Sequence, residues 1–174
     1  MSELLLDTVE SGIVTKEQAF AIAVPSTTNT YKPISNNDFV YMLEKVAQMF
    51  GLELDEPEFG MDKKGQRMFG TCSLRGQDFL NNEAEFMLGF RNSYDKSLSA
   101  AICFGSRVFV CSNLVFIGYA DMENGIVGNA RHRHSNAINE GLFIKMKEAF
   151  ECFNDYKDYQ ERFYNQVERK QVDN

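Results

Sequence analysis

The octapeptide Ala84-Glu85-Phe86-Met87-Leu88-Gly89-Phe90-Arg91 alternates in character. Ala84, Phe86, Leu88 and Phe90 fall on one face, and Glu85, Met87, Gly89 and Arg91 on the other, the period of a half-buried β-strand. Strand-like segments flank it. Arg67 to Arg75 carries Phe69 and Leu74 among smaller residues. From Leu98 towards Phe116 the even positions Ile102, Phe104, Val108 and Val110 are apolar, and the odd ones include Ser99, Cys103, Gly105 and Arg107. Asn92-Ser-Tyr-Asp-Lys-Ser97 is a turn by composition. Gly105-Ser106 reads as a bulge in one long strand rather than a turn between two. These pieces form an antiparallel β-meander of about three or more strands.

Upstream of the meander, Ser35 is a natural N-cap with Asp38 three residues on, and Ile34 and Phe39 have the spacing of a hydrophobic staple. Phe39, Met42, Leu43, Val46, Met49 and Phe50 follow one helical face, which Gly51 ends. Thr15-Lys-Glu-Gln18 has capping-box spacing, and a short helix is expected to run on through Ala19 to Val24 and stop at Pro25. Ser26 to Pro33 reads as an extended arm, and Glu53 to Gly65 as an acidic, turn-rich stretch. After a loop at Asp121 to Asn129, Ser135 is placed to cap a long helix with Ile138, Leu142, Met146, Ala149, Phe153 and Tyr156 on one face. Running to Val167 it would measure ~50 Å, more than a small sheet needs. Residues 154–174 are therefore expected either to protrude as an oligomerisation or partner helix, or to fold back after a break near Asn154-Asp155. The fold class is α+β, one domain over residues 1–174, with the meander packed by a helix from the N-terminal half and a long C-terminal helix.

The 174 residues are 44% hydrophobic, and 15 Phe and 7 Tyr fill a core without Trp. Cys72, Cys103, Cys111 and Cys152 form no CxxC pair and read as reduced structural thiols of a cytosolic protein. No secretory signal is visible, and no run approaches the ~20 apolar residues that cross a bilayer. A soluble, cytoplasmic protein with no membrane partner is expected. The net charge of −7 is uneven. Residues 1–60 hold 3 basic and 10 acidic side chains, whereas residues 91–147 hold 7 basic and 4 acidic. Screening confines each charge to about 10 Å, so a local basic site is compatible with an acidic chain.

Gly65-Gln-Arg-Met-Phe-Gly70, Leu88-Gly-Phe-Arg-Asn-Ser-Tyr-Asp-Lys-Ser97, Arg107-Val-Phe-Val-Cys-Ser-Asn-Leu114 and Arg131-His-Arg-His134 occur in that order. Together they resemble a phage- and plasmid-borne family known only as a domain of unknown function, over about residues 13 to 145. The resemblance implies a mobile-element setting near recombination, repair or antirestriction genes, in a bacterial host cell. It implies no activity.

Arg131-His132-Arg133-His134 is the leading candidate site. Placed before a helix N-terminus, it would offer backbone N–H groups, two guanidinium groups and two protonatable rings to a phosphate. Lys145 and Lys147 follow on the same helix. The competing reading is a basic loop that balances acidic segments. Arg91 and Arg107 lie on the less apolar strand face, with Lys96 at the hairpin tip and Gly89, Ser99 and Cys103 leaving room for a nucleic-acid backbone; Tyr94 and Phe109 would stack bases. The competing reading pairs these arginines with Glu85 and Asp95. A nucleophilic Cys111 would need His132 or His134 within reach, and a His132/His134 metal pair lacks further ligands of recognisable spacing. No phosphate-binding loop or dinucleotide fingerprint is present, so no cofactor is expected.

The order helix, meander, long helix is also similar, in topology alone, to the β-β-β-α core of single-strand annealing proteins of the Red-beta, RecT and Erf type. The expectation is a non-enzymatic protein that binds and anneals single-stranded DNA, as a homo-oligomeric ring or filament. Arg91, Lys96, Arg107, Arg131, Arg133, Lys145 and Lys147 would contact phosphates, with His132 and His134 assisting. The alternative is an acidic module that docks on a host protein, as a host-takeover or antirestriction factor. A third reading is a metal-dependent hydrolase or nuclease centred on His132 and His134.

Overall fold

The computed structural model describes residues 11–79, 84–108, 114–116, 129–132 and 139–172. Its elements are β1 (Ser11–Val14), α1 (Lys16–Phe20), α2 (Asn36–Met49), β2 (Glu58–Asp62), β3 (Arg67–Phe79), β4 (Ala84–Ser93), β5 (Ala100–Val108), β6 (Leu114–Phe116), β7 (Asn129–His132), α3 (Asn139–Glu151) and α4 (Phe153–Val172). The strands form one antiparallel sheet in the order β1-β2-β3-β4-β5, and β6 and β7 share the far edge of β5. The class is α+β, as the meander implied. Among the described residues the sheet has seven strands, within the three or more expected, because β1, β2, β6 and β7 extend the meander on both sides.

Both N-terminal helices start as their caps dictate. Thr15 and Gln18 close a reciprocal capping box before α1, and Ser35 Oγ accepts from the Asp38 N–H at the start of α2. α1 ends at Phe20, four residues short of the expected stop. α2 ends at Met49, and Gly51 just beyond its C-cap takes φ +69°, in the left-handed region that glycine enters without a Cβ clash.

All the described helices contribute to one core. Phe39, Val40, Leu43 and Val46 of α2, Leu142, Met146 and Phe150 of α3, and Phe153 and Tyr156 of α4 join Phe59, Met68, Phe86, Leu88, Phe90, Ile102 and Phe104 from the sheet. Phe104 is central, with ring centroids 5.0 Å from Phe150 and 4.9 Å from Phe153. The long C-terminal helix breaks at Cys152, earlier than expected. Tyr156 and Gln160 of α4 remain buried, and Lys157 Nζ donates to Gln77 Oε1 at 2.9 Å, so the first two turns of α4 belong to the packed body.

Irregularity in the sheet falls on β3. Ser73 pairs with Met87 and Asp78 with Glu85, so four β3 residues stand opposite one of β4. Gly76 takes φ +69° inside this bulge. The chain at 53–55 joins the strand there: Asp55 N donates to Ser73 O and Arg75 N to Glu53 O. The bulge expected at Gly105-Ser106 is absent, because β5 passes through both residues in unbroken register with Met87 and Phe86.

Candidate nucleic-acid interface

Antiparallel partners share a face, so register settles where the predicted arginines lie. Arg91 pairs with Ala101, and Arg107 with Glu85. Both arginines are on the sheet face opposite Phe86, Phe90 and the helices. Position 131 is the register partner of Ala101, giving a cross-strand row 91–101–131. His132 pairs with Ala100 in the adjacent row.

The groove expected on that face is not an open one. Met87 is 1% exposed, Thr71 6% and Glu85 8%, which closes its middle to solvent. Arg107 forms an ion pair with Glu85, and Arg91 Nε donates to Ser99 O at 3.2 Å. For Arg107 the pairing reading holds; Arg91 bonds the Ser99 carbonyl, and Asp95 pairs with Arg67. Tyr94 is no stacking platform: it is 7% exposed and its hydroxyl accepts from the Asn36 N–H at 2.8 Å. Lys145, exposed, and Lys147, half-buried, sit on α3 in the helix layer, away from the Arg91 and Arg107 face. Arg131 and His132 form a strand on the β5 edge, and the described part of α3 begins at Asn139. Arg133, His134, Phe109, Cys111 and Ser135 lie outside the described residues.

What the topology does bring together is one end of the sheet. β2 and β3 join there through Lys63-Lys64-Gly65-Gln66, β4 and β5 through the 94–99 turn, and β7 arrives with Arg131 and His132. The turns touch: Tyr94 N donates to Gln66 O at 2.7 Å. Lys63, Lys64 and Lys96 are exposed, and Arg67 retains 43% side-chain exposure. Lys32 is exposed next to Tyr31, whose hydroxyl donates to Tyr94 O at 3.0 Å. Lys96, at φ +64°, holds its ammonium 4.5 Å from the Tyr31 ring centroid, a cation–π contact. Asp62 and Asp95 are occupied by structure. Asp62 Oδ1 accepts from the Gln66 and Arg67 N–H groups, and Arg67 Nε stands 3.5 Å from Asp62 Oδ2 and 3.3 Å from Asp95 Oδ2. Burial pushes the Asp95 carboxyl up, but hydrogen bonds from Ser97 and Ser93 and the Arg67 charge together hold it below the usual range.

Buried polar groups fix this end. Asn92, fully buried, donates from Nδ2 to Ile34 O and to Asn36 Oδ1, both at 2.9 Å. Asn36 Nδ2 in turn donates to Ala19 O at 2.9 Å. Burial raises the Tyr31 and Tyr94 hydroxyls above their ordinary pKa, so both stay protonated at neutral pH. The Asn-Ser-Tyr-Asp phrase thus ties two hairpin turns to the start of α2. Sequence reading missed Lys32, Lys63, Lys64 and Arg67 as site members, although Lys-Lys-Gly before a strand was a visible turn signal.

Away from this end, a cleft of about 560 Å³ opens between α1, α2 and the 52–57 segment. Glu44, Glu53, Asp55 and Glu56 line it with Lys16 and Arg75. Arg75 bonds Asp55 at 2.8 Å and Glu53 at 3.2 Å, and Lys16 lies 3.6 Å from Glu44. Among the described residues no group of three or more His, Cys, Asp or Glu is arranged to hold a metal, and no helix is long and apolar enough to cross a membrane. Burial pushes the Cys72 thiol up to about 12, so it is inert packing rather than a nucleophile.

No curated protein and no solved structure matches the chain. Residues 23–174 match one family, and on that match the chain belongs to the Domain of unknown function (DUF932) family.

Proposed function

We propose that this protein binds single-stranded nucleic acid through the turn end of its sheet. The observation that carries the reading is the convergence of Lys32, Lys63, Lys64, Arg67 and Lys96 at one end of an otherwise acidic molecule. Cations on adjacent tight turns track a flexible phosphate backbone, and several such contacts supply sequence-independent affinity. Annealing of complementary strands in a mobile element is the finer form of this reading, and it requires the bound strand to keep its bases accessible.

Fluorescence polarisation with single-stranded DNA at two salt concentrations tests it. Wild type should bind with a steep salt dependence. A Lys63→Ala/Lys64→Ala/Lys96→Ala variant should bind weakly, and the magnitude of its log–log salt slope should fall by about two, at ~0.7 for each phosphate no longer neutralised. Equal affinity and slope in the two proteins would reject the turn end as the site. The acidic-module alternative has the cleft as its support. It predicts no binding to DNA at either salt, and co-purification of a stoichiometric basic host protein that Glu56→Lys releases.

A further inference from the structure

The charges are sorted along the sheet. At the turn end the exposed charged side chains are lysines, whereas the cleft sets four carboxylates against two cations, a net of −2. Arg67 and Arg75 lie eight positions apart along β3. At ~3.3 Å per residue that is ~26 Å, about three Debye lengths at physiological salt. The two regions therefore do not neutralise one another within a chain. Between chains they can meet, and their shapes correspond: the cleft is concave, and Lys63-Lys64-Gly65 is the tip of a tight hairpin. Arg75 and Lys16 are already committed to cleft carboxylates, whereas Glu56 is exposed at the rim. The complementary surface is present on every copy of the chain, so no foreign partner is needed to supply it.

We infer that copies of this protein associate head to tail, the lysine hairpin tip of one seated in the acidic cleft of the next. Such a contact uses two different patches. It closes into a ring where the rotation between neighbours permits and otherwise continues as a filament. The association stands on charge and shape alone. Its consequence for nucleic acid rests on the proposed function: a strand and a neighbouring copy compete for the same lysines, so a bound strand displaces the neighbour.

Sedimentation velocity on the full chain at low and high salt tests the association. The mass of wild type should rise above 19.9 kDa with concentration at low salt and return to it at high salt. Glu56→Lys and Lys64→Glu should each weaken association at least about tenfold, because each sets like charges together. Mixed in equal amounts, the two variants should form a dimer and nothing larger, since each keeps the surface the other has lost. Wild type that stays at 19.9 kDa at every salt and concentration, or assembly that neither variant alters in a correctly folded chain, overturns the inference. DNA binding separates this from the previous reading: Glu56→Lys should leave it intact and Lys64→Glu should weaken it, whatever the assembly state.

Discussion

At the turn end of the sheet the charges stand on a scaffold of buried hydrogen bonds, whereas in the cleft they are held by one another in contact with water. Asn92 and Tyr94 are 0% and 7% exposed, and every described bond they make reaches another segment of chain. In the cleft, Arg75 is 60% exposed and its partner Glu53 70%. Hydrogen bonds out of water are costly to break, because the orphaned partner keeps its desolvation penalty. Exposed ion pairs lose little when broken, because water takes over each charge. The turns that carry the lysines thus stand on a rigid support, and the cleft carboxylates on an adaptable one.

Removal of Asn92 should do the most damage. Asn92→Ala leaves Ile34 O and Asn36 Oδ1 buried without their donor and should cost about 3 kcal/mol, read as a shift in the urea midpoint. Nucleic-acid affinity should drop with it, because the hairpin turns lose their tie to α2. A midpoint unchanged by the substitution would show that the scaffold does not hold this end, and the contrast with the cleft would collapse.

How much of this was legible beforehand follows from range. α2 was readable because its cap, staple and stop lie within 18 residues, from Ile34 to Gly51. β4 and β5 were readable because alternation is a local property, and the same parity placed Arg91 and Arg107 on one face. β2 was missed: Phe59 and Met61 alternate, but a five-residue strand bounded by Glu58 and Asp62 is too short to stand out from an acidic stretch. The β3 bulge was missed because Gly76 sits among polar residues, where it reads as a turn. The site was least legible. Lys64 and Lys96 are 32 positions apart and share one end of the sheet only because β3 and β4 pair in a register that brings Ser93 opposite Arg67. Closure of the middle of the opposite face, at Thr71, Glu85 and Met87, leaves no mark in local sequence.

Asp95 gives a smaller effect and a sign. Its folded pKa lies below its unfolded value of about 3.9, so the stabilisation is present above that value and is lost as pH falls through the folded pKa. Asp95→Asn keeps the side-chain shape and removes the titration. The urea midpoints of wild type and variant should therefore differ at pH 6 and draw together as pH falls below the unfolded value of about 3.9. A constant gap would assign the cost to lost hydrogen-bond geometry from Ser93 and Ser97 rather than to charge.

The smallest change in stability, and the one that sharpens the comparison most, belongs to Arg75→Ala. A hydrogen bond to Asp55, with the charges of Asp55 and Glu53, holds the guanidinium above its usual pKa, yet all three groups face water. Its loss should leave the urea midpoint within measurement error. The cleft, however, becomes more negative by one charge. If the carboxylates attract the lysine tip of a neighbouring copy, Arg75→Ala should strengthen self-association at low salt while wild-type and variant behaviour coincide at high salt. Weaker association would mean that Arg75 acts by positioning Glu53 and Asp55 for the neighbour, so that the cleft, like the turn end, works through geometry as well as charge.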